Sequence, residues 1–542
     1  MIKLNRHTLW HSSLFILALA LIILGSTQRS DAGPSHNGAH STSQAVEKNN
    51  SELDWYSFDQ RAFATARKEG RFLILDLKAV WCHWCHVMAA TTYRDPAVVA
   101  LINDYYIPIQ VDHDARPDLA ERYRDWGWPA TIIFTPDGSE IVKRAGYIDP
   151  EDMARLLQAV VDDPSPESGQ LRYPTQVATS PALPKALRKE LEERHQDTFD
   201  KILGGLNIPQ KFIERDSLNW DLTLAASGDQ GAAERARLTL NGALALIDPA
   251  FGGAYQYSTQ GDWHHPHYEK IMRVQAGYIR AYSRGYQILK DARYLEAAEQ
   301  IAQYLNEFLS APDGGFYSSQ DADLKQGQKA HDYFRLNREQ RLALGIPRID
   351  TKQYASVAGD AADALLALYA VSEREAHLSR AESAIRWGLQ HRRLGNGGFR
   401  HDHIDFAGPY LPDTLNMGHA FLRYAQLRSD PQVLDAASSA ADFIGRYFRH
   451  PTAGLISATD NGTPVAPLPQ IDQNIRAAAF LLALYETTGE SRHLALAEHV
   501  LRYLNSPAIV RARITEAGLL NLDRVYRRLL RNPPMPQQES SK

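Results

Sequence analysis

The sequence predicts an α/β domain followed by an all-α domain of helical hairpins, and three observations carry that prediction. The only two cysteines in 542 residues, Cys82 and Cys85, stand between the short apolar run 72–77 and the Gly- and Pro-free run 83–92. A buried strand therefore leads into them and a helix leaves. Further on, Trp128-Pro129-Ala130-Thr131 precedes the apolar run 132–134, and Thr135-Pro136-Asp137-Gly138 turns the chain into Ile141-Val142. From about residue 185 to 530, helical periodicity is interrupted by one recurring glycine turn: Gly204-Gly205-Leu206, Gly252-Gly253-Ala254, Gly314-Gly315-Phe316, Gly397-Gly398-Phe399, Ala453-Gly454-Leu455 and Ala517-Gly518-Leu519.

The strand–cysteine–helix order explains why a reactive cysteine belongs here. Free backbone N–H groups and the helix dipole at a helix N-terminus stabilise a thiolate, and the thiolate is the nucleophile. Three chemistries fit Cys82-His83-Trp84-Cys85-His86 taken alone. It can be a redox pair, with Cys82 attacking and Cys85 resolving the mixed disulfide. It matches C-x-x-C-H, the attachment pentapeptide of c-type haem. It can be half a zinc site with His83 or His86, although no further cysteine exists to close one. The flanks favour the redox pair. Asp76 lies inside the apolar strand, where a buried carboxylate can relay a proton to Cys85. Pro129 opens a later strand, as the cis-proline of the thioredoxin fold does. Catalytic candidates are Cys82, Cys85, Asp76, Pro129 and His86, whose protonated ring would lower the Cys82 pKa. No cofactor and no metal are expected.

Composition limits the rest. A hydrophobic fraction of 44% with 23% charged residues is that of a globular protein, and a net charge of −5 without a basic block gives nucleic-acid binding no support. Lys3, Arg6 and His7 followed by the apolar run 14–25 read as a signal peptide, cleaved after Ala32, or as an uncleaved anchor. No other stable membrane span is expected. The body of the protein is then exported, periplasmic or secreted, and a lone close cysteine pair in such a chain reads as catalytic, not as a structural framework.

In order along the chain, 1–32 is the signal peptide and 33–52 a flexible linker rich in Ser, Gly, His and Asn. A thioredoxin-like domain spans 53–162: helix 55–68, strand 72–77, the cysteine helix broken at Asp95-Pro96, strand 107–111, a helix to about Trp126, two strands beyond Pro129, and a closing helix 150–161. Residues 163–184 are a proline-containing linker. Residues 185–530 are helix pairs, among them 274–289 with 293–309, 358–371 with 378–389, 415–427 with 431–447, and 475–486 with 493–503. Six hairpins can stack openly or close into an (α/α)6 toroid, and the long insert 320–354 favours the toroid, whose loops wall a cavity. Residues 531–542 are a disordered tail.

These residues resemble the spermatogenesis-associated protein 20-like family. Trp81-Cys82-His83-Trp84-Cys85-His86-Val87-Met88, Val111-Asp112 with Arg116-Pro117-Asp118, Gly127-Trp128-Pro129 and Thr135-Pro136-Asp137-Gly138 are similar to its first-domain motifs. Pro266-His267-Tyr268-Glu269-Lys270-Ile271-Met272 and Gly314-Gly315-Phe316-Tyr317-Ser318 with Asp321-Ala322-Asp323 resemble segments of its second domain. Gln210 and Gln256 stand where that family has proline and histidine, and the stretch after Asp323 departs from its pattern. The resemblance implies a thioredoxin-like domain fused to a six-hairpin glycosidase-like toroid. It leaves the activity open, because fold does not fix function.

In the toroid, Asp262-Trp263-His264-His265-Pro266-His267-Tyr268-Glu269 is the densest chemical stretch. A carboxylate and an imidazole there can serve as acid and base on a sugar, and His265 with His267 can bind a metal. The competing reading has Glu269 and Lys270 pairing with neighbours. Trp263, His267, Glu269, Asp321 and Asp323 are the expected ring of the cavity, while His401 and His403 are expected to be solvated. The resulting expectation is a thiol–disulfide oxidoreductase acting on protein or small-thiol disulfides, with a carbohydrate-active protein or a binding scaffold as alternatives. Cys82 should be reachable from solvent, and the toroid should open separately.

Overall fold

The computed structural model describes residues 52–167, 173–405, 407–460 and 462–535. The expected signal peptide, almost all of the N-terminal linker and residues 536–542 of the tail lie outside the described residues. The first module contains α1 (Gln60–Glu69), β1 (Phe72–Lys78), α2 (His83–Ala90), α3 (Pro96–Tyr105), β2 (Tyr106–Asp112), α4 (Pro117–Arg122), β3 (Ala130–Phe134), β4 (Glu140–Ala145) and α5 (Pro150–Asp162). Its sheet has the order β2-β1-β3-β4, with β1 parallel to β2 and antiparallel to β3. Both faces of β1 are covered, which is why it reads as continuously apolar. Leu73, Leu75 and Leu77 pack with Phe58, Phe63 and Tyr123, whereas Ile74 faces Met88, Tyr93, Ile102 and Leu157. By the same two-residue period Asp76 faces the side of Ile74, beneath α2.

Aspartate caps set the helix starts: Asp95 and Asp149 accept backbone N–H groups, and a proline stands at the first position of α3 and α5. The first helix begins later than its periodicity predicts. Asp59 accepts the Ala62 N–H and caps α1, and Tyr56 instead pairs with β2 (Tyr56 N–H to Pro108 O, 2.8 Å; Gln110 N–H to Tyr56 O, 3.0 Å). The apolar residues before Asp59 thus protect a sheet edge.

The second module begins with α6 (Lys185–Asp197), α7 (Arg215–Ala225), α8 (Gln230–Ala243), α9 (Met272–Leu289), α10 (Ala292–Phe308), α11 (His331–Phe334), α12 (Arg338–Leu344) and α13 (Ala355–Ser372). It continues with α14 (Glu375–His391), α15 (Leu411–Arg428), α16 (Pro431–Tyr447), α17 (Ile471–Thr488), α18 (Ser491–Leu504), α19 (Pro507–Val510) and α20 (Ala517–Arg531). Helices α7, α9, α13, α15, α17 and α20 each pack on the next, and α20 packs back on α7, closing a ring. Outside it, α8, α10, α14, α16 and α18 lie against α7, α9, α13, α15 and α17, and α6 against α20. This is an (α/α)6 toroid. Its sixth hairpin joins the two ends of the module through buried Asp523, which accepts the Leu183 N–H (2.9 Å) and pairs with Arg188 (2.7 Å) and Arg527 (2.9 Å). Helix α13 is long and apolar enough to cross a membrane, yet most of it is buried as a wall of this ring.

The recurring glycine turn closes a small bridge after each of the first five outer helices, as between Ile247 and Ala254 or Ser310 and Phe316. Gly252 shows why the residue is needed: its φ is +70°, and a Cβ there would stand 2.5 Å from the Gln300 carbonyl oxygen. Ala517-Gly518-Leu519 differs, because it forms the start of α20 and no turn.

The chain between the modules is fastened to the toroid from Tyr173 on. Tyr173 stacks on His450 and donates to the Ala453 carbonyl (2.9 Å), and Leu183 is fully buried. The first module sits over the end of the ring where the inner helices begin. Lys352 pairs with Asp112 (2.6 Å), Arg122 donates to the Ala466 carbonyl (3.1 Å), Arg124 pairs with Asp472, and Val465 joins the first module's core.

Candidate functional site

Cys82 is the N-cap of α2: its Sγ accepts the Cys85 N–H at 3.1 Å, and the two cysteines are disulfide-bonded. The Trp128–Pro129 peptide is cis, and Trp128 packs against Trp81 and His113 in front of the pair. Behind it, burial pushes the Asp76 carboxyl up to about 6, partly offset by a hydrogen bond from Gln110 Nε2 (3.0 Å). A carboxyl so placed exchanges a proton near neutral pH.

The pair is not open to solvent, contrary to the expectation from sequence. Cys82 and Cys85 are each 4% exposed and form one apolar cluster with Ala79, Trp81 and Ile271, the last from the toroid. The apolar residues that flank a thiol for chemistry are here matched by apolar residues at the start of α9, and burying both surfaces favours contact.

Beside that cluster the two modules exchange polar contacts. His83 Nδ1 lies 2.6 Å from Asp323 Oδ1, and His86 Nδ1 lies 3.1 Å from Asp323 Oδ2. His86 Nε2 donates to the Val80 carbonyl (3.0 Å) and stands 3.7 Å from Asp321 Oδ2. Asp323 also accepts the Gly327 N–H (2.7 Å), and Asp321 accepts the Asp323 N–H (2.9 Å). Burial alone would raise the Asp323 carboxyl, but the His83 and His86 hydrogen bonds outweigh it and hold it at about 2. Burial raises Asp321 to about 6. Burial, and then the charges of Asp321 and Asp323, raise Glu269 to about 8. For His86, burial opposes the charged form, and the Asp323 hydrogen bond with the Asp321 charge overcomes it. Ligand-type atoms of His86, Asp321 and Asp323 lie within 4.8 Å of one another, close enough to share a cation.

Of the expected cavity ring, Glu269, Asp321 and Asp323 come together at the module interface, and His267 Nδ1 reaches to 3.9 Å from Glu269 Oε2. Trp263 is a core residue: its Nε1 donates to Leu203 O (2.7 Å), and its ring fills the space left by Gly205 and Gly242. His267 stacks on Tyr257, and burial followed by the nearby His83 charge lowers its pKa. Lys270, next to Glu269, pairs with Asp248 (2.7 Å), whereas no lysine or arginine pairs with Glu269 among the described residues. His401 is buried, not solvated: its Nδ1 meets Asp413 (2.8 Å) and its Nε2 donates to Asp114 O of the first module (2.7 Å). His403 is exposed as expected.

The toroid axis does hold a cavity, of ≈ 160 Å³, lined by Arg215, Arg273, Asp360 and Arg476 from inner helices and roofed by His113 and Glu121 of the first module. These residues carry no motif. They were missed because each lies on a different helix, and only ring closure brings them to one axis.

Fold and site together define a thioredoxin-like module seated on an (α/α)6 toroid, with the cysteine pair at their junction. Residues 38–162 match a family described as "Protein of unknown function, DUF255" (Thioredox_DsbH). The resemblance read from the motifs holds: the chain is similar to spermatogenesis-associated protein 20 of Mus musculus, 28% identical over 309 residues, covering 50% of this chain and 39% of that protein. The chain thus spans about two fifths of the length of such relatives. It is also similar to thiol:disulfide interchange protein DsbD 1 of Pseudomonas aeruginosa, 33% identical over 102 residues, covering 18% of this chain and 17% of that protein. Among solved structures, cellobiose 2-epimerase of Bacillus thermoamylovorans aligns with a TM-score of 0.47 at 12% identity, covering 59% of this chain and 86% of the other.

Proposed function

We propose that the protein is an exported thiol–disulfide oxidoreductase whose redox pair is covered by its own toroid. The observation that carries this reading is the Cys82–Cys85 pair at the N-terminus of α2, with Asp76 beneath it and Pro129 beside it. In the dithiol form, the Cys82 thiolate attacks a substrate disulfide, forming a mixed disulfide and releasing one substrate thiol. Cys85, deprotonated with the help of Asp76, then attacks Cys82 Sγ and releases the second thiol. Two electrons and two protons pass to the substrate, and a dithiol donor resets the pair. Export rests on the basic start and apolar run 14–25.

The cover restricts what can react. With Ile271 over the sulfurs, a folded protein disulfide cannot reach Cys82 until the modules part, whereas a small or extended disulfide needs a smaller opening. Reduction of oxidised glutathione and of an insulin disulfide by the full chain tests this. Cys82→Ser should abolish both, and Cys85→Ser should accumulate a mixed disulfide. Activity surviving Cys82→Ser refutes the assignment.

A second reading, carbohydrate binding or turnover in the toroid, is favoured by the axial cavity, where Asp360 lies between Arg280 (3.0 Å) and Arg476 (3.2 Å). Glu269→Gln cannot separate the two readings, because Glu269 lies at the cysteine interface. Asp360→Asn can: loss of glycan binding there, with binding retained in Cys82→Ser, would support a separate sugar site.

A further inference from the structure

We propose that His83, His86, Asp321 and Asp323, with Glu269 beside them, bind one divalent first-row transition-metal ion between the two modules. The hydrogen-bond chemistry of His86 gives the first argument. The Val80 carbonyl can only accept, so His86 Nε2 carries a hydrogen and donates to it. Histidine ligands to metals are commonly held this way, with the non-ligating N–H on a backbone carbonyl and the other nitrogen free to bind. That other nitrogen, Nδ1, points at a carboxylate oxygen 3.1 Å away. Without an ion, that contact is an N–H···O bond from a charged imidazole; a cation taking the place of this hydrogen meets a nitrogen and an oxygen already set side by side. His83 Nδ1 lies 2.6 Å from the second oxygen of the same carboxylate.

Charge gives the second argument. Glu269, Asp321 and Asp323 are 4%, 1% and 2% exposed, and among the described residues no lysine or arginine pairs with any of them. Asp321 Oδ2 and Glu269 Oε2 are buried without a hydrogen-bond partner. Unpaired buried oxygens of this kind are rare and call for an explanation, and an ion is one. Two imidazole nitrogens with carboxylate oxygens, the sulfurs being tied in a disulfide, suit manganese, iron, cobalt or zinc better than calcium or magnesium, which prefer oxygen alone.

The two ligand pairs come from opposite modules, 237 and 240 residues apart. A bound ion would therefore clamp the toroid over the cysteine pair.

The test uses the full oxidised chain, stripped with a chelator and dialysed against Co²⁺, then passed over a gel-filtration column. Elemental analysis should find about one Co²⁺ per chain, with visible ligand-field bands and no sulfur-to-cobalt charge-transfer band. The Asp321→Asn/Asp323→Asn double variant should lose the ion, and Glu269→Gln should weaken its retention about tenfold. Zn²⁺ should raise the thermal midpoint of the wild type. Absence of retained ion in the wild type would overturn the proposal, leaving protonated imidazoles as the only charge balance. Equal retention by the double variant, or a sulfur-to-cobalt band, would also overturn it. If the double variant fails to fold, the wild-type stoichiometry and spectrum decide alone.

Discussion

Replacing Asp76 by asparagine should stabilise the protein, and only above mildly acidic pH. Burial raises the Asp76 carboxyl from 3.8 to about 6, so the folded state prefers it protonated. Below the unfolded value neither state holds the charge and there is no penalty. As pH rises from about 4 to about 6 the native state loses stability, and the loss is complete above that range. Two pH units at ~1.4 kcal/mol each make the cost of the native charge about 3 kcal/mol. The groups facing Asp76 do not reverse the sign: burial holds the Tyr93 phenol neutral, Gln110 donates one hydrogen bond, and Lys78 contributes only a small lowering. Asparagine keeps the shape and can accept the same Gln110 hydrogen bond. Urea unfolding of the oxidised chain, followed by tryptophan fluorescence, reports mainly on this module, which holds Trp55, Trp81, Trp84, Trp126 and Trp128. Asp76→Asn should gain about 3 kcal/mol near pH 8 and nothing near pH 4, while slowing resolution of the mixed disulfide. An equal gain at both pH values, or none near pH 8, would refute the buried-carboxylate account.

Three further outcomes follow from the packing. Ile271→Ala should cost about 2–4 kcal/mol and, in the reduced protein, speed alkylation of Cys82 by iodoacetamide; an unchanged rate would mean that Ile271 is not the cover. Asp523→Ala should cost about 1–3 kcal/mol, because the buried Leu183 N–H loses its acceptor while the partly exposed Arg188 and Arg527 stay solvated, and hydrogen exchange should rise in α6 and α20 together if they form one hairpin. Gly242→Ala places a Cβ 2.4 Å from Trp263 Nε1 and should cost about 1–3 kcal/mol through overpacking, read as a lowered thermal midpoint; an unchanged midpoint would show that the indole moves freely.

The sequence by itself determined the local elements and their order, because those depend on neighbours along the chain. A two-sided apolar strand, two cysteines at a helix start, aspartate caps before proline, and a glycine wherever a left-handed turn follows an outer helix are all short-range signals. The buried carboxylate at Asp76 was legible for the same reason, as one charged residue inside an apolar run. The tertiary structure decided everything that depends on which surfaces meet. Asp321 and Asp323 read as a loop beside a sugar cavity, but they face His83 and His86 from more than two hundred residues away. Trp263 read as a cavity wall and is core, because Gly242 and Gly205 leave room for its ring. His401 read as solvated and instead ties the two modules together. The cysteine pair read as open and is covered by Ile271. In each case the deciding contact is long-range, and periodicity along the chain carries no record of which distant surface excludes water from a side chain.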